Sequence, residues 1–209
     1  MLDNIGPIIF LGTAFIGVFI LYEFKKSSRI SERKSENFWD RERKANVARR
    51  KDISALNYLV IPMEELPFID TTDDELLEYH RTIENLSTLK ILNLTGITNT
   101  ELKEQYGIAN LEALTNCDNN YITLVNTIAR WGARLIALDY TKEAVTVLEY
   151  GLKIGTDVSR NFLMLAEIYQ ADNNYKKIDE LIIRASALKS MMKDSIVNKL
   201  TDIRNSINE

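Results

Sequence analysis

The chain has 209 residues, 45% hydrophobic and 27% charged, values ordinary for a folded protein with room for one globular body and appendages. A single cysteine, Cys117, excludes an intrachain disulfide, and a single histidine, His80, leaves any histidine-based metal site or His-assisted nucleophile resting on one residue. The net charge of -4 is unevenly placed: residues 1–24 carry only Asp3 and Glu23, residues 25–51 hold 11 Lys or Arg against 4 acids, and residues 52–209 hold 15 against 24.

From Ile5 to Tyr22 no residue is charged. Eighteen residues at about 1.5 Å each reach roughly 27 Å, which predicts a membrane span. Nothing positive precedes the run except the terminal amine, and Tyr22-Glu23-Phe24-Lys25 is a poor cleavage site, so a retained anchor over 1–24 is expected rather than a signal peptide. The basic stretch follows at once. Lys25, Lys26, Arg29, Arg33 and Lys34 lie within the distance over which positive charge marks the cytoplasmic side. The expected topology is single-pass at the cell membrane, with the N-terminus outside and the body cytoplasmic. These cations would also attract anionic lipid. Nucleic acid is the rival partner for such a run, disfavoured by the four interspersed acids and the acidic body behind it.

A stretch without Gly or Pro from Ser35 to about Lys51 predicts a basic juxtamembrane helix within 25–51. Its Phe38 and Trp39 suit either the headgroup level of a membrane or the edge of a core. Pro62 and Pro67 forbid a continuous helix over 52–68, which reads as an extended strap along the body. Thr72-x-x-Glu75 matches a capping box opening a helix to about Leu89. His80, between Tyr79 and Arg81 on that charged helix, reads as a surface residue. Short helices are expected from Asn99, ending at Gly107, and from Asn110 to about Leu114. Asp118-Asn119-Asn120 reads as a break. Residues 52–120 are thus a strap and short helices packing on the body, and 121–209 are the body's main part.

There one pattern occurs twice. Ile128, Trp131, Gly132, Leu135, Ala144, Leu148 and Gly151 each find an equivalent 34 residues on, in Phe162, Leu165, Ala166, Tyr169, Ile178, Ile182 and Ala185. Small residues fall on small ones and large apolar ones on large, which is the sign of a helix–turn–helix repeat. The predicted helices are 121–137, 141–154, 158–171 and 174–188. Met192, Ile196, Leu200, Ile203 and Ile207 make one more apolar stripe, a helix that caps the second repeat. On these positions the chain resembles the tetratricopeptide repeat family. Thr156 and Ser190 stand where that family has its closing Pro.

The resemblance implies an all-α body of two helix–turn–helix repeats and a partner-binding scaffold without chemistry of its own. In that family the first helix of each pair lines the binding face. Its groove positions fall on Asn126, Ala129, Ala133, Ile136 and Ala137, then on Arg160, Leu163, Glu167, Gln170 and Ala171. Members that clamp a terminal carboxylate carry Lys and Asn where Ala129 and Ala133 stand here, so capture of a carboxylate tail in that mode is not implied. The face could be open to an apolar helix or extended peptide, or filled by the strap at 52–68.

No catalytic, cofactor or metal residue is expected. The eight glycines are scattered, with no Gly-Lys-Ser/Thr phosphate loop. Glu64-Glu65 and Asp73-Asp74-Glu75 sit beside prolines or at a helix start, where solvated carboxylates are ordinary. Asp172-Asn173-Asn174 lacks the Gly and distal Glu of a calcium loop and reads as a turn. The expected fold is therefore an N-terminal transmembrane helix followed by an all-α body with two tetratricopeptide-like repeats and a C-terminal capping helix. The expected function is a membrane-anchored adaptor for a protein partner. An outward-facing envelope-assembly factor and an accessory subunit of a membrane enzyme complex are the alternatives.

Overall fold

Two turns set the frame of the structure, a computed structural model that describes residues 22–26 and 34–206. Asp139 and Asn173, 34 residues apart, are its only non-glycine residues with positive φ among those described, at 64° and 55°. Asp and Asn tolerate this left-handed conformation because a short polar side chain can bond locally. Around each, the hydrogen bonds repeat. The Tyr140 amide donates to the Leu135 carbonyl at 2.9 Å and the Asn174 amide to that of Tyr169 at 2.8 Å. Asp139 and Asn173 likewise donate to Ile136 and Gln170, each at 3.0 Å. This is the Schellman closure of a helix C-terminus, made twice at the period of the sequence pattern.

Besides a helical stretch at 22–26 and a 3-10 turn at Ile108–Asn110, the helices are α1 (34–46), α2 (Asp74–Ser87), α3 (Asn99–Tyr106), α4 (Leu111–Ala137), α5 (Thr141–Lys153), α6 (Ser159–Ala171), α7 (Tyr175–Ser186) and α8 (Lys193–Asn205). No strand forms among the described residues beyond a single antiparallel bridge between Leu59 and Ile91. The fold is all-α.

The expected transmembrane helix is corrected. Among the described residues no helix is long and apolar enough to cross a membrane. The longest, α4, has the length but is interrupted by Glu112, Asp118, Arg130 and Arg134. Of the expected span, Ile5–Tyr22, all but Tyr22 lies outside the described residues.

The chain divides into two units. In the smaller, α1 and α3 enclose Ala45 and Leu102, both buried. Arg41 donates to both carboxylate oxygens of Glu104, at 2.7 and 2.6 Å, and Lys103 pairs with Glu42. The basic helix ends at Asn46 rather than near Lys51. Past that point the chain runs against the end of α3, where the Lys51 amide donates to the Tyr106 carbonyl at 3.1 Å. Gly107 closes α3 at φ 84°, and a Cβ there would lie 2.7 Å from the Arg49 carbonyl oxygen, so only glycine fits.

In the larger unit α4 packs on α2, α5 and α6, while α8 packs on α6 and α7. Small residues fall where the helices meet. A Cβ on Gly132 would come within 2.5 Å of Leu148, and Ala144, Ala166 and Ala185 are wholly buried. One core gathers around Trp131 with Leu76, Ile83, Leu124, Ile128 and Leu135. A second joins Phe162, Leu165, Ile178, Ile196 and Leu200. Burying each such side chain contributes about 1.5–3 kcal/mol, so the two cores hold most of the stability.

Three local expectations are corrected. The cap of α2 is Asp73, not Thr72: its carboxylate accepts from the Leu76 amide at 3.0 Å and pairs with Arg134, which fixes it in place. No break occurs at Asp118-Asn119-Asn120, and α4 runs through from Leu111, absorbing the short helix expected at 110–114. Asp118 accepts from the Leu94 amide and Asn120 donates to the Lys90 carbonyl, so these side chains bond a neighbouring segment instead of unwinding their own helix. His80 is buried rather than exposed, because it continues the inner stripe of Leu76 and Ile83. Its ring meets Phe68 and Trp131 edge-on at centroid distances of 5.0 and 5.2 Å. Burial holds its pKa below the ordinary histidine value.

Candidate functional site

The expected groove positions lie on α4 and α6, two helices in direct contact within the larger unit. Helical spacing brings Asn126, Arg130, Ala133 and Ala137 onto one side of α4. Asn126 and Ala137 are exposed and Ala133 half-buried, whereas Ala129 is buried. On α6, Arg160, Glu167 and Ala171 are exposed. Leu163 is half-buried against the second core, and Ile136 against both. Gln170 turns toward the end of α8, donating to the Ser206 hydroxyl at 3.3 Å.

These residues do not form one continuous groove but line two cavities. The first, about 240 Å³, has Ala133 and Ala137 of α4 as its small residues and Arg130, Arg134 and Arg160 around it. Glu75 and Tyr79 of α2 complete it. Asp73 and Glu75 hold Arg134: its Nε donates to an Asp73 oxygen at 3.1 Å and lies 3.8 Å from Glu75. The Arg134 hydrogen bond, then the Leu76 amide, holds the Asp73 carboxyl below its ordinary value. Burial, then the Glu75 carboxylate, pushes the Tyr79 phenol up. Arg130 and Arg160 have no ion-pair partner among the described residues.

The second cavity, about 580 Å³, lies by Asn126. Ile122 and Val125 of α4, Val158 before α6, Ile97 and Met192 give it an apolar lining, with Asp118 and Asp157 beside them.

The strap lies elsewhere. Pro62, Glu65 and Leu66 line a cavity of about 510 Å³ against Thr146, Tyr150 and Lys153 of α5 and Arg184 of α7. No residue of 52–68 lines either cavity on the α4–α6 face. Burial pushes the Tyr150 phenol up to about 12, and no group of the described residues satisfies its hydroxyl.

Of the expected membrane-surface residues, Lys25, Lys26, Lys34 and Trp39 are exposed, while Arg29 and Arg33 lie outside the described residues. Phe38 and Trp39 are 52% and 56% exposed and meet edge-on at 5.3 Å, so this pair is not core. Among the described residues no group of three or more His, Cys, Asp or Glu could hold a metal ion.

Sequence reasoning missed Arg130, Arg134, Glu75 and Tyr79. The two arginines carried a usable signal, since they sit three residues before Ala133 and Ala137 respectively on one helix. Glu75 and Tyr79 did not, because no local pattern says where α2 docks. The chain matches no protein-family model, no curated protein and no solved structure.

Proposed function

We propose that this protein is a non-catalytic scaffold of tetratricopeptide-repeat type, and that it binds a protein partner on the α4–α6 face. The observation that carries the reading is that face itself. Two adjoining helices present small residues, exposed arginines and two cavities there, while the strap lines neither of them. Supporting it, the small residues at 132, 144, 166 and 185 are spent on helix packing, which leaves Ala133 and Ala137 as the ones that open space outward.

Blocking the face tests this. Asn126→Trp and Ala137→Trp change exposed positions and should leave stability within about 0.5 kcal/mol. Lys142→Trp, on the exposed side of α5, is the control. A protein retained by the wild-type chain and by Lys142→Trp should be lost from the two face variants. Equal retention by all three variants would refute the reading.

A second contact is favoured by the Phe38–Trp39 pair, exposed on a helix that also carries Lys34 and Lys44. That combination suits an anionic lipid surface, with aromatic rings at headgroup level and cations toward phosphate. Co-sedimentation of the chain with vesicles containing phosphatidylserine should fall in Phe38→Ala/Trp39→Ala. Unchanged sedimentation would remove this contact.

A further inference from the structure

Resting on the reading of the α4–α6 face as a partner site, we propose that the partner presents an acidic side chain there. Its carboxylate sits between Arg130 and Arg160, and a neighbouring apolar side chain of the same segment enters the cavity beside Asn126.

Charge points to this first. Residues 52–209 carry 24 acids against 15 bases. The smaller cavity reverses that balance, with three guanidinium groups against the single carboxylate of Glu75. Asp73 and Glu75 already hold Arg134. Arg130 and Arg160 remain, exposed and without an ion-pair partner among the described residues, in a region rich in carboxylates. A guanidinium presents a planar fork of donors that matches a carboxylate in two parallel hydrogen bonds, which a point charge such as Lys does not.

Size points the same way. The cavity's 240 Å³ is below the roughly 300–1,000 Å³ of small-molecule sites, yet ample for one acidic side chain above Ala133 and Ala137.

The apolar part follows from register. Asn126 lines the larger cavity and Arg130 the smaller, one helical turn apart on α4, while the consecutive residues Ser159 and Arg160 are likewise divided between them. A peptide laid along α4 therefore meets the arginines and then Ile122, Val125 and Val158 within a few residues.

The test uses the immobilised full chain and synthetic random hexapeptide pools, each with one position fixed as Glu, Gln, Lys or Leu. Glu pools should be retained about tenfold over Gln pools, as expected for a charge-assisted pair, and the preference should shrink as salt is raised. Arg130→Gln/Arg160→Gln should abolish the preference for Glu, and Arg130→Glu/Arg160→Glu should turn it toward Lys. Thermal melts of both should match wild type, since both arginines are exposed and neither has an ion-pair partner among the described residues. Arg130→Lys/Arg160→Lys keeps the charge and should keep a reduced preference. An acidic preference that persists in the Gln variants overturns the inference. Pools retained without acidic preference, yet lost on Asn126→Trp, overturn the inference and leave the scaffold reading standing. Retention that Asn126→Trp does not reduce, or no retention of any pool, overturns both.

Discussion

Gly132 gives the sharpest test of how the first helix pair is built. A methyl group on it would stand 2.5 Å from Cδ2 and 2.7 Å from Cγ of Leu148, whose side chain is wholly buried. Two effects oppose each other in Gly132→Ala. Helix propensity favours Ala by about 1 kcal/mol, and overpacking costs about 1–3 kcal/mol. The clash wins or draws, giving a net loss of about 0–2 kcal/mol. Leu148→Ala removes both offending atoms but leaves a cavity, at about 2–5 kcal/mol. In the double variant the clash is gone and only the propensity gain of Gly132→Ala remains. Its loss should therefore fall short of the sum of the single losses by about 1–3 kcal/mol, a coupling typical of touching residues. Urea denaturation followed by far-ultraviolet circular dichroism measures all three, with unchanged m-values as the check on two-state behaviour. Additivity within about 0.5 kcal/mol, or a full 1 kcal/mol gain in Gly132→Ala alone, would mean that α4 and α5 do not approach as described.

His80 should make stability fall with acidification. Its folded pKa is depressed by burial, so its contribution is fully present above the unfolded value near 6.5 and is lost as pH falls toward the folded one. It is the only histidine, so a decline in melting temperature between pH 7 and 5.5 that disappears in His80→Phe is diagnostic, and an identical decline in that variant would contradict the burial. Cys117 is buried and burial pushes its thiol up, so Ellman's reagent should react slowly with the native chain and at once in urea; prompt native reaction would contradict its place in α4. Ala166→Leu adds bulk at a wholly buried helix contact and should cost about 1–3 kcal/mol, whereas Leu163→Lys, half-buried, should cost less because its ammonium can reach water. Equal, small losses from both would contradict the packing of α6.

The helix pairs were legible because their information is local and repeated. Gly132 and Ala166 mark close approach, and Asp139 and Asn173 supply the left-handed turn at the same period. What misled was local chemistry overridden by tertiary partners. Asp118 and Asn120 look like helix breakers until segment 90–94 takes up their hydrogen bonds. Thr72 has the better capping-box spacing, but Arg134 anchors Asp73. His80 has charged neighbours along the chain, yet its own position points inward to Trp131. The candidate face was half legible for the same reason. Its α4 and α6 positions follow from the period, but Glu75 and Tyr79 reach it from a helix about 55 residues away in sequence, whose docking only the fold reveals.

The central claim is that the α4–α6 face meets a protein partner, and site-specific photocrosslinking in living cells tests it most directly. Benzoylphenylalanine placed singly at Asn126, Ala137 or Glu167 should give a shared adduct with one other protein, because these exposed positions border the face. The same residue at Lys142 or Lys176, exposed on α5 and α7, should give no such adduct. Adducts from Lys142 or Lys176 alone, or none from the three face positions, would contradict the account.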